Sequence, residues 1–397
     1  MHAWSEMRIL MLHNRYLVSG GEEQATETDV AMLREHGHTV ELLERDNREI
    51  ERLGLARTAK NTLWASDSYH RIFDKLRGRD FDILHVQNFF PLWSPSVYHA
   101  AARAGVPVVQ TLHNYRLLCV NSFLFREGRP CEECVGRMLP WPGVMHGCYR
   151  DSRAGSAVVA GMIGFHKMLG TWKKKVQVYV AVSEFAKEKY IAGGLPAEKI
   201  VVRPNFLHQS PSPGGGRGGY ALYVGRLSPE KGIATMLEAW RAAENPLPLK
   251  IAGDGPLKEM VLEAARKSRF IEYAGLKSLP EVLDLMGHAE FLVFPSQWYE
   301  TMGRTIMEAF GVGTPVIASN IGAPASMVQP GKTGFHFPPG DVHSLRLRVE
   351  RCSRNPEEMR SLRVNARAVY EEKYTSAAGI ASLLAIYRIA RERLSEN

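Results

Sequence analysis

The chain has 397 residues, of which 45% are hydrophobic and 23% charged, and its formal net charge is +8. This length exceeds a single hydrophobic core and suits two domains of about 150 to 200 residues each, with the composition of a folded globular protein. No run approaches the roughly 18 apolar residues of a membrane-spanning helix, which excludes an integral membrane protein, and the positive charge favours anionic partners.

The first domain is predicted from strand-like runs in residues 1–205. Residues 1–6 have neither the basic flank nor the apolar segment of a secretion signal, so we expect a cytoplasmic protein. Five β-branched runs then predict strands at 9–12, 39–43, 83–87, 106–112 and 176–182. Helical stretches separate them, and this alternation is typical of a parallel sheet covered on both faces.

The second half has the same alternation of strands and helices, with strands predicted at 220–224, 249–252, 270–273, 291–294 and 315–318. Between the halves lies SPSPGGGRGG, residues 210–219, and we predict a flexible linker over 206–219. An apolar helix at 377–394 follows the second domain, 220–375, and residues 376–397 are expected to pack back toward the first domain. The expected architecture is two Rossmann-like α/β domains facing a central cleft.

Ligands of such sheets bind beyond the carboxyl ends of the strands, so the loops there carry the candidate site. The first loop is VGRLSPEKG, where Arg226 and Lys231 lie in a turn that begins with Gly225 and ends with a second glycine. Two cations beside an accessible backbone suit a diphosphate whose charge increases as it leaves in a reaction. A solvated surface turn is the alternative.

The second loop is SQWYETMGRTIMEAFGVGTPVIAS, residues 296–319. Glu300 precedes a helix predicted to begin near Met302 or Gly303, and Glu308 lies on that helix. Two carboxylates at this spacing suit two sets of sugar hydroxyls, and helix-start amides suit the phosphates between them. The alternatives are a charge at the helix N-terminus for Glu300 and an i, i+4 pair with Arg304 for Glu308.

Seven short motifs occur in a specific order along nearly the whole chain. They are G-G at 20–21, T-L-H-N at 111–114, V-S-E-F at 182–185, G-R-L-x-x-x-K-G at 225–232, G-D-G-P at 253–256, E-x7-E at 300–308 and G-x-P-V at 313–316. Together they resemble the family 4 retaining glycosyltransferases of the GT-B fold, of the bacterial surface-polysaccharide type. The resemblance assigns residues 1–205 to the acceptor and residues 220–375 to the nucleotide sugar.

The resemblance implies roles for individual residues. Arg226 and Lys231 would contact the donor diphosphate, Glu308 the ribose, and Glu300 and His113 the transferred sugar, so that His113, Arg226, Lys231 and Glu300 form the catalytic set. The full set of implied donor contacts is Gly20, Gly21, Gly225, Arg226, Lys231, Gly253, Leu276, Glu300, Thr301, Met302, Gly303, Arg304 and Glu308. A structural imidazole is the alternative for His113.

One departure from the family pattern concerns the sugar. Where the family usually has E-G-F-G, this chain has E-T-M-G at 300–303, so the identity of the donor sugar does not carry over from relatives. The resemblance otherwise implies retaining transfer, without a catalytic metal, from a UDP- or GDP-sugar to a saccharide or a polyprenyl-diphosphate-linked acceptor. Alternatives are an epimerase or phosphorylase of the same fold, or a nucleic-acid-binding protein with a zinc knuckle.

Four cysteines cluster in the insert at 119–148. Cys119, Cys131, Cys134 and Cys148 have the spacing C-x11-C-x2-C-x13-C, which contains the C-x2-C knuckle of structural zinc sites, with His146 as a substitute ligand. Because disulfides are disfavoured in the cytoplasm, the cysteines are predicted to hold a structural zinc ion or to remain thiols.

Residues 165–175 combine apolar side chains with Lys167, Lys173, Lys174 and Lys175. This mixture predicts contact with the inner face of an anionic membrane, or else a solvated helix end with buried Leu and Trp. The aromatic stretch NFFPLWSPS at 88–96 and the aromatic residues of the insert are candidates for the acceptor side, although core packing explains them equally well.

Overall fold

The computed structural model describes residues 6–17, 20–78 and 80–395, and the chain divides into two compact units. The first unit comprises the residues up to Leu124, Cys131–His208 and the residues from Ser376 onward. The second comprises Phe125–Pro130 and Gln209–Thr375, so a short piece of the cysteine-rich insert groups with the second unit. Within the described ranges, no helix combines the length and hydropathy needed to cross a bilayer.

The first unit is built on a parallel sheet of six strands in the order β2-β1-β3-β4-β7-β8. These strands are β1 Arg8–Arg15, β2 Thr39–Asp46, β3 Ile83–Val86, β4 Val108–Leu112, β7 Val178–Ala181 and β8 Ile200–Val202, while β5 Phe125–Arg126 and β6 Arg129–Pro130 form a separate antiparallel hairpin. All five strands predicted in this half are confirmed. The sequence pattern missed β8, which has only three residues.

Helices cover this sheet, and one of them comes from the end of the chain. They are α1 Gly21–Glu35, α2 Glu49–Leu53, α3 Leu55–Leu63, α4 Ser66–Leu76, α5 Ser96–Ala104, α6 Trp141–Met145, α7 Arg153–Met168, α8 Thr171–Lys174, α9 Glu184–Ala192 and α17 Ser376–Ser395. The apolar face of α17, including Leu383 and Tyr387, packs in one core with Ile9 and Met11 of β1. The Tyr387 hydroxyl lies 2.8 Å from Nδ1 of His85, which anchors the helix to β3.

The second unit repeats this architecture with the strand order β11-β10-β9-β12-β13-β14, again all parallel. Its strands are β9 Ala221–Val224, β10 Leu249–Ala252, β11 Ile271–Gly275, β12 Phe291–Phe294, β13 Val316–Ser319 and β14 Gly334–Phe337. Its helices are α10 Ile233–Ala242, α11 Lys258–Lys267, α12 Leu279–His288, α13 Arg304–Gly311, α14 Gly322–Met327, α15 Val342–Arg354 and α16 Pro356–Lys373. The five strands predicted here are confirmed, and β14 was missed.

The glycine-rich stretch at 210–219 follows a bonded path, which differs from the predicted flexible linker. The Gly214 amide donates to the Val312 carbonyl at 2.8 Å, and the Gly216 amide donates to the Gly287 carbonyl at 3.0 Å. The Arg363 guanidinium also donates to the Gly214 carbonyl at 3.2 Å. Glycines permit this close approach, since a Cβ at Gly214 would lie 2.2 Å from the Gly287 carbonyl oxygen.

Each sheet reverses its strand order at one place. In the first unit the chain passes from β1 outward to β2 and returns on the other side to β3, and in the second unit β9 lies between β10 and β12 in the same way. Loops diverge at such switch points and leave a crevice at the carboxyl ends of the strands. The candidate sites are therefore the loops after β9 and β12 in the second unit and after β1 and β3 in the first.

Candidate active site

In the second unit, the loops after β9 and β12 bring Lys231 and Glu300 together. Nζ of Lys231 lies 2.5 Å from Oε1 of Glu300, and the Ser296 hydroxyl donates to the same oxygen at 2.7 Å. The Gln297 amide donates to the Glu230 carbonyl at 2.8 Å, which ties the two loops together. Glu300 is only 6% exposed, so its carboxylate and the ammonium group are held in one place before any ligand binds.

Arg226 belongs to the same loop and is more accessible. Its guanidinium donates to Glu230 at 2.6 Å and to the Ser228 hydroxyl at 3.2 Å, while about half of the side chain is exposed. Each predicted diphosphate-binding cation therefore has a carboxylate partner in its own unit. The loop presents two cations whose positions are already fixed by these partners.

Glycine is required at two positions in these loops. Gly232 has a φ of +71°, and a Cβ there would lie 1.9 Å from the Pro295 carbonyl oxygen. Gly253 has a φ of +150°, and a Cβ there would lie 1.9 Å from the Gly225 carbonyl oxygen. Side chains would push the loops apart, so Gly232 keeps Lys231 close to the loop that carries Glu300, and Gly253 keeps the loop after β10 close to Gly225.

Glu308 lies inside α13 with 4% of its surface exposed, and its Oε1 accepts a hydrogen bond from Nε of Arg304 at 2.9 Å. Burial raises the pKa of the Glu308 carboxyl above its ordinary value, whereas the charge of Arg304 acts in the opposite direction. The i, i+4 pair that the sequence allowed therefore exists. It is compatible with hydroxyl binding, because a carboxylate accepts several hydrogen bonds.

The start of α13 differs in detail from the expectation. The helix begins at Arg304, one or two residues later than predicted, and the Gly303 amide donates to Sδ of Met327 at 3.4 Å. Met302 is 8% exposed, so the side chain that replaces the usual Phe is buried. Leu276 follows β11, which is separated from β9 by β10, and it is 75% exposed.

In the first unit, a chain of hydrogen bonds positions His113 at the end of β4. Nε2 of His113 lies 2.7 Å from Oε1 of Gln87, and Nε2 of Gln87 donates to Asp29 at 3.0 Å. Asp29 forms a buried ion pair with Arg203. Burial is the main cause that lowers the pKa of His113 to about 3, so the imidazole is neutral at physiological pH. The role implied for His113 stays a prediction.

The other two histidines at strand ends differ from His113. Both ring nitrogens of His85 are within 2.8 Å of hydroxyls, those of Tyr387 and Thr111, which is a structural arrangement. His13 is 1% exposed, and burial lowers its pKa to about 4. His113 alone among the three has partial exposure at the edge of the sheet.

Gly20 precedes α1 and Gly21 begins it, and residues near this helix start form a polar cluster that the sequence pattern missed. Glu23 accepts hydrogen bonds from the amides of Gly20 at 2.8 Å and Tyr16 at 3.1 Å, which caps the helix. Nδ2 of Asn114 donates to Glu22 at 3.2 Å and to the Tyr16 hydroxyl at 3.3 Å. Burial, together with the charge of Glu23, raises the pKa of Glu22 to about 8.

This cluster offers hydroxyl-binding groups at the switch point of the first sheet. A carboxyl with that pKa is mostly protonated at neutral pH and can donate as well as accept a hydrogen bond. Asn88, in the loop after β3, lies close to Tyr16 and Glu22, and its Nδ2 donates to the Asn14 carbonyl at 2.9 Å. The signal that would have found the cluster is the occurrence of polar residues directly after three neighbouring strands.

The four cysteines of the insert are all free thiols. Burial raises the pKa of Cys134 to about 12, and the neighbouring thiols of Cys119, Cys148 and Cys131 add to this shift. Among the residues that the structure describes, no three His, Cys, Asp or Glu side chains are grouped so that they could hold a metal ion. His146 lies 3.9 Å from Glu133 instead. The arrangement therefore does not support the predicted zinc site.

Thiol labelling tests this arrangement. At neutral pH we expect iodoacetamide to modify the partly exposed Cys131 before Cys134, because Cys134 is buried and holds its proton. Mass spectrometry of the labelled peptides measures the order, and protein unfolded in urea serves as the control in which both react. If all four cysteines stay unlabelled until a chelator is added, this expectation is wrong and bound zinc is favoured.

Two protein families match the chain by sequence. The family described as Glycosyltransferase Family 4 matches residues 19–209, and the family described as Glycosyl transferases group 1 matches residues 212–369. The first match lies almost entirely in the first unit, and the second match lies in the second unit. Only a short gap separates the two matched ranges.

Individual proteins are also similar to this chain in sequence or in structure. Glycogen synthase of Mycobacterium tuberculosis is 36% identical over 141 residues, which is 34% of this chain and 34% of that protein. Alpha-D-kanosaminyltransferase of Streptomyces kanamyceticus is 30% identical over 42% of this chain and 45% of its own. The chain thus matches less than half of the length of these curated relatives. Among solved structures, HepE of Anabaena in complex with UDP superimposes with a TM-score of 0.66 and 17% identity over 98% of this chain and 100% of its own.

Proposed function

The chain belongs to the group 1 and family 4 glycosyltransferases, and from this premise we propose that it transfers a sugar from a nucleoside diphosphate sugar to an acceptor hydroxyl. The observation that carries the proposal is the Lys231–Glu300 pair at the switch point of the second sheet, with Ser296 beside it. A fixed cation at the end of β9 supports binding of a diphosphate there. A fixed carboxylate beside it supports binding of sugar hydroxyls.

In this proposal Arg226 and Lys231 neutralise the departing diphosphate, and no divalent metal is needed for that task. Charge develops on the leaving phosphate in the transition state, where preorganised cations have their largest effect. Glu308 accepts hydrogen bonds from the ribose, and Glu300 and His113 from the transferred sugar. The transfer retains the anomeric configuration, as the family resemblance implies, and the departing phosphate oxygen takes part in removing the acceptor's proton.

A panel of nucleotide sugars tests the donor. HepE of Anabaena binds UDP, and we expect a UDP-sugar to raise the melting temperature more than the matching GDP-sugar. A ligand at one hundred times its Kd stabilises the native state by about 2.7 kcal/mol, which corresponds to a shift of several degrees. Free glucose is the control without a diphosphate. The absence of a shift with both series, at millimolar concentrations, would overturn the proposal.

We further propose a lipid-linked saccharide as acceptor, in the synthesis of a surface polysaccharide at the inner face of the membrane. The residues of this contact are exposed apolar side chains on two segments, namely Met138, Leu139, Trp141, Met145, Phe165, Met168 and Leu169, all between 37% and 72% exposed. Nζ of Lys167 donates to the Arg137 carbonyl at 2.7 Å and joins these segments. We call this set the apolar patch.

The charge around the apolar patch favours an anionic surface. Residues 152–183 contain five cations and no Asp or Glu, and Lys173 and Lys174 are exposed. Trp172 is buried at 2%, so it belongs to the core and not to the patch. Apolar side chains bordered by lysines are the pattern of an interfacial contact with anionic lipid.

Vesicle binding tests this contact. Replacing Lys173 and Lys174 together by alanine should weaken partitioning onto vesicles with one-third phosphatidylglycerol about thirtyfold, since each lysine contributes about 1 kcal/mol near such a surface. The control replaces the exposed lysines Lys258 and Lys267 of the second unit. Equal binding to neutral phosphatidylcholine vesicles, or an equal loss in the control, would contradict the membrane contact.

A further inference from the structure

The first unit contains a cavity of about 450 Å³ between α3 and α7. Leu55 and Ala59 of α3 form one wall, and Ala154 and Val158 of α7 form the opposite wall. Its volume lies within the range of about 300 to 1,000 Å³ that is typical of ligand sites. Apolar side chains form most of the lining, and this distinguishes the cavity from the polar loops at the ends of the strands.

The floor of the cavity is aromatic and comes from two stretches that the sequence singled out. Phe90 and Pro91 belong to the NFFPLWSPS segment, and Tyr149 belongs to the cysteine-rich insert. The rings of Phe90 and Tyr149 meet edge to face with centroids 5.8 Å apart. The Arg116 guanidinium lies behind them, 4.2 Å from the Phe90 ring, and holds that ring from the protein side.

One cation lies at the edge of this apolar space. Arg150 lines the cavity, is exposed, and stacks on the Tyr149 ring at 5.5 Å. Across the described ranges, no carboxylate lies within ion-pair distance of Arg150. An apolar cavity with an uncompensated cation at its edge is complementary to an apolar chain that ends in an anionic group.

The floor of the cavity is connected along the chain to the candidate site of the first unit. Phe90 follows Gln87 by three residues, and Gln87 is the residue that hydrogen-bonds His113. The Phe90 amide donates to Oδ1 of Asn88 at 2.9 Å, and Asn88 reaches the cluster of Tyr16 and Glu22. The loop after β3 therefore carries both part of the cavity floor and residues of the candidate site.

We propose that this cavity binds the apolar chain of a phosphorylated lipid, with Arg150 contacting the phosphate. The inference rests on the proposed function, because such a lipid is the carrier of the acceptor saccharide. The proposed lipid site is formed by α3 and α7. It is separate from the apolar patch, for which we propose contact with the membrane surface. Each buried methylene adds about fourfold to affinity, so a 15-carbon chain gives a readily measured contribution.

The experiment uses the full chain without nucleotide and a farnesyl phosphate that carries a benzophenone group at the end of its chain. Illumination followed by peptide mapping should place the cross-link in residues 50–62 or 149–159. Affinity is measured by titration calorimetry with farnesyl phosphate, and inorganic phosphate serves as the chain-free probe. We expect farnesyl phosphate to bind at least tenfold more tightly than phosphate.

Two variants on the same helix provide the matched comparison. Ala154 and Ala157 are both exposed on α7, but only Ala154 lines the cavity. Ala154→Trp should weaken farnesyl phosphate binding at least tenfold, whereas Ala157→Trp should leave it within twofold. Arg150→Ala should weaken farnesyl phosphate but not farnesol.

The outcomes separate this inference from the proposed function. Cross-links in the apolar patch or in the second unit, or equal binding by the two tryptophan variants, would overturn the cavity as a lipid site. The nucleotide-sugar panel is independent of these measurements, so failure of donor binding with a correct cross-link would overturn the transferase proposal and leave the lipid site standing.

Discussion

Replacing Lys231 with alanine is expected to lower kcat about 10²- to 10³-fold while changing the affinity for the donor much less. The ammonium group is held 2.5 Å from Glu300 and lies 5.3 Å from the Trp298 ring, so its position is set before the donor binds. The charge on the departing diphosphate is greatest in the transition state, and loss of the cation should therefore affect turnover most. Single-turnover kinetics with the nucleotide sugar identified by the thermal-shift panel measure the effect.

The control for this variant is Lys267→Ala. Lys267 pairs with Glu263 at the same distance of 2.5 Å, but both residues are exposed on α11. It should retain wild-type kcat, since exposed pairs contribute little to stability and this one lies outside the site. Glu300 keeps its hydrogen bond from Ser296 in Lys231→Ala, so the fold should hold, and the melting temperature checks this. A kcat within threefold of wild type would remove Lys231 from the mechanism.

Replacing Glu308 with glutamine is expected to weaken nucleotide binding about 10- to 100-fold, because hydrogen bonds to a charged group contribute about 1.5 to 3 kcal/mol. The glutamine keeps an acceptor for Arg304, which limits the loss of stability. The specific readout compares UDP with 2′,3′-dideoxy-UDP. Wild type should lose affinity when the ribose hydroxyls are removed, whereas Glu308→Gln should bind both ligands equally.

The matched control for Glu308 is Glu350→Gln. Glu350 forms the same i, i+4 pair with Arg346, at 2.7 Å, and is also nearly buried. It lies on α15 and should bind both nucleotides like wild type. An equal loss of affinity on removing the hydroxyls in wild type and in Glu308→Gln would show that the carboxylate does not contact the ribose.

The pH dependence of nucleotide binding follows from the same carboxylate. Burial raises the pKa of Glu308, so the group takes up a proton at a higher pH than an exposed glutamate does. The ionised form is the stronger acceptor for ribose hydroxyls, and affinity should therefore fall as the pH is lowered. Glu308→Gln should lose this part of the pH dependence.

Local patterns in the sequence were sufficient for the elements and for the main motifs. All ten predicted strands are present because buried parallel strands need continuous apolar runs, which are visible without knowledge of the fold. The C-terminal helix predicted at 377–394 is observed as Ser376–Ser395 for the same reason. The strands β8 and β14 were missed, because β8 has only three residues and β14, with the sequence GFHF, lacks the continuous apolar run of the other strands.

Prediction from local sequence patterns failed where hydrogen bonds to distant residues fix the path of a segment. The stretch at 210–219 has the composition of a flexible linker, yet the amides of Gly214, Gly216 and Gly218 donate to carbonyls at least 70 residues away. The spacing of the four cysteines allowed either a structural zinc site or free thiols, and spacing alone does not decide between them. The cavity between α3 and α7 has no sequence signal either, because its walls come from three separate segments.

The sequence by itself determined the fold class, the order of the strands along the chain and the residue types that can bind a sugar diphosphate. Only the tertiary structure decided which of them meet. Lys231 and Glu300 are 69 residues apart and come within 2.5 Å because β9 and β12 are neighbours in the sheet, and the link from His113 through Gln87 to Asp29 joins three elements in the same way. Strand adjacency arises from long-range packing and hydrogen bonding across the sheet, which no local pattern records.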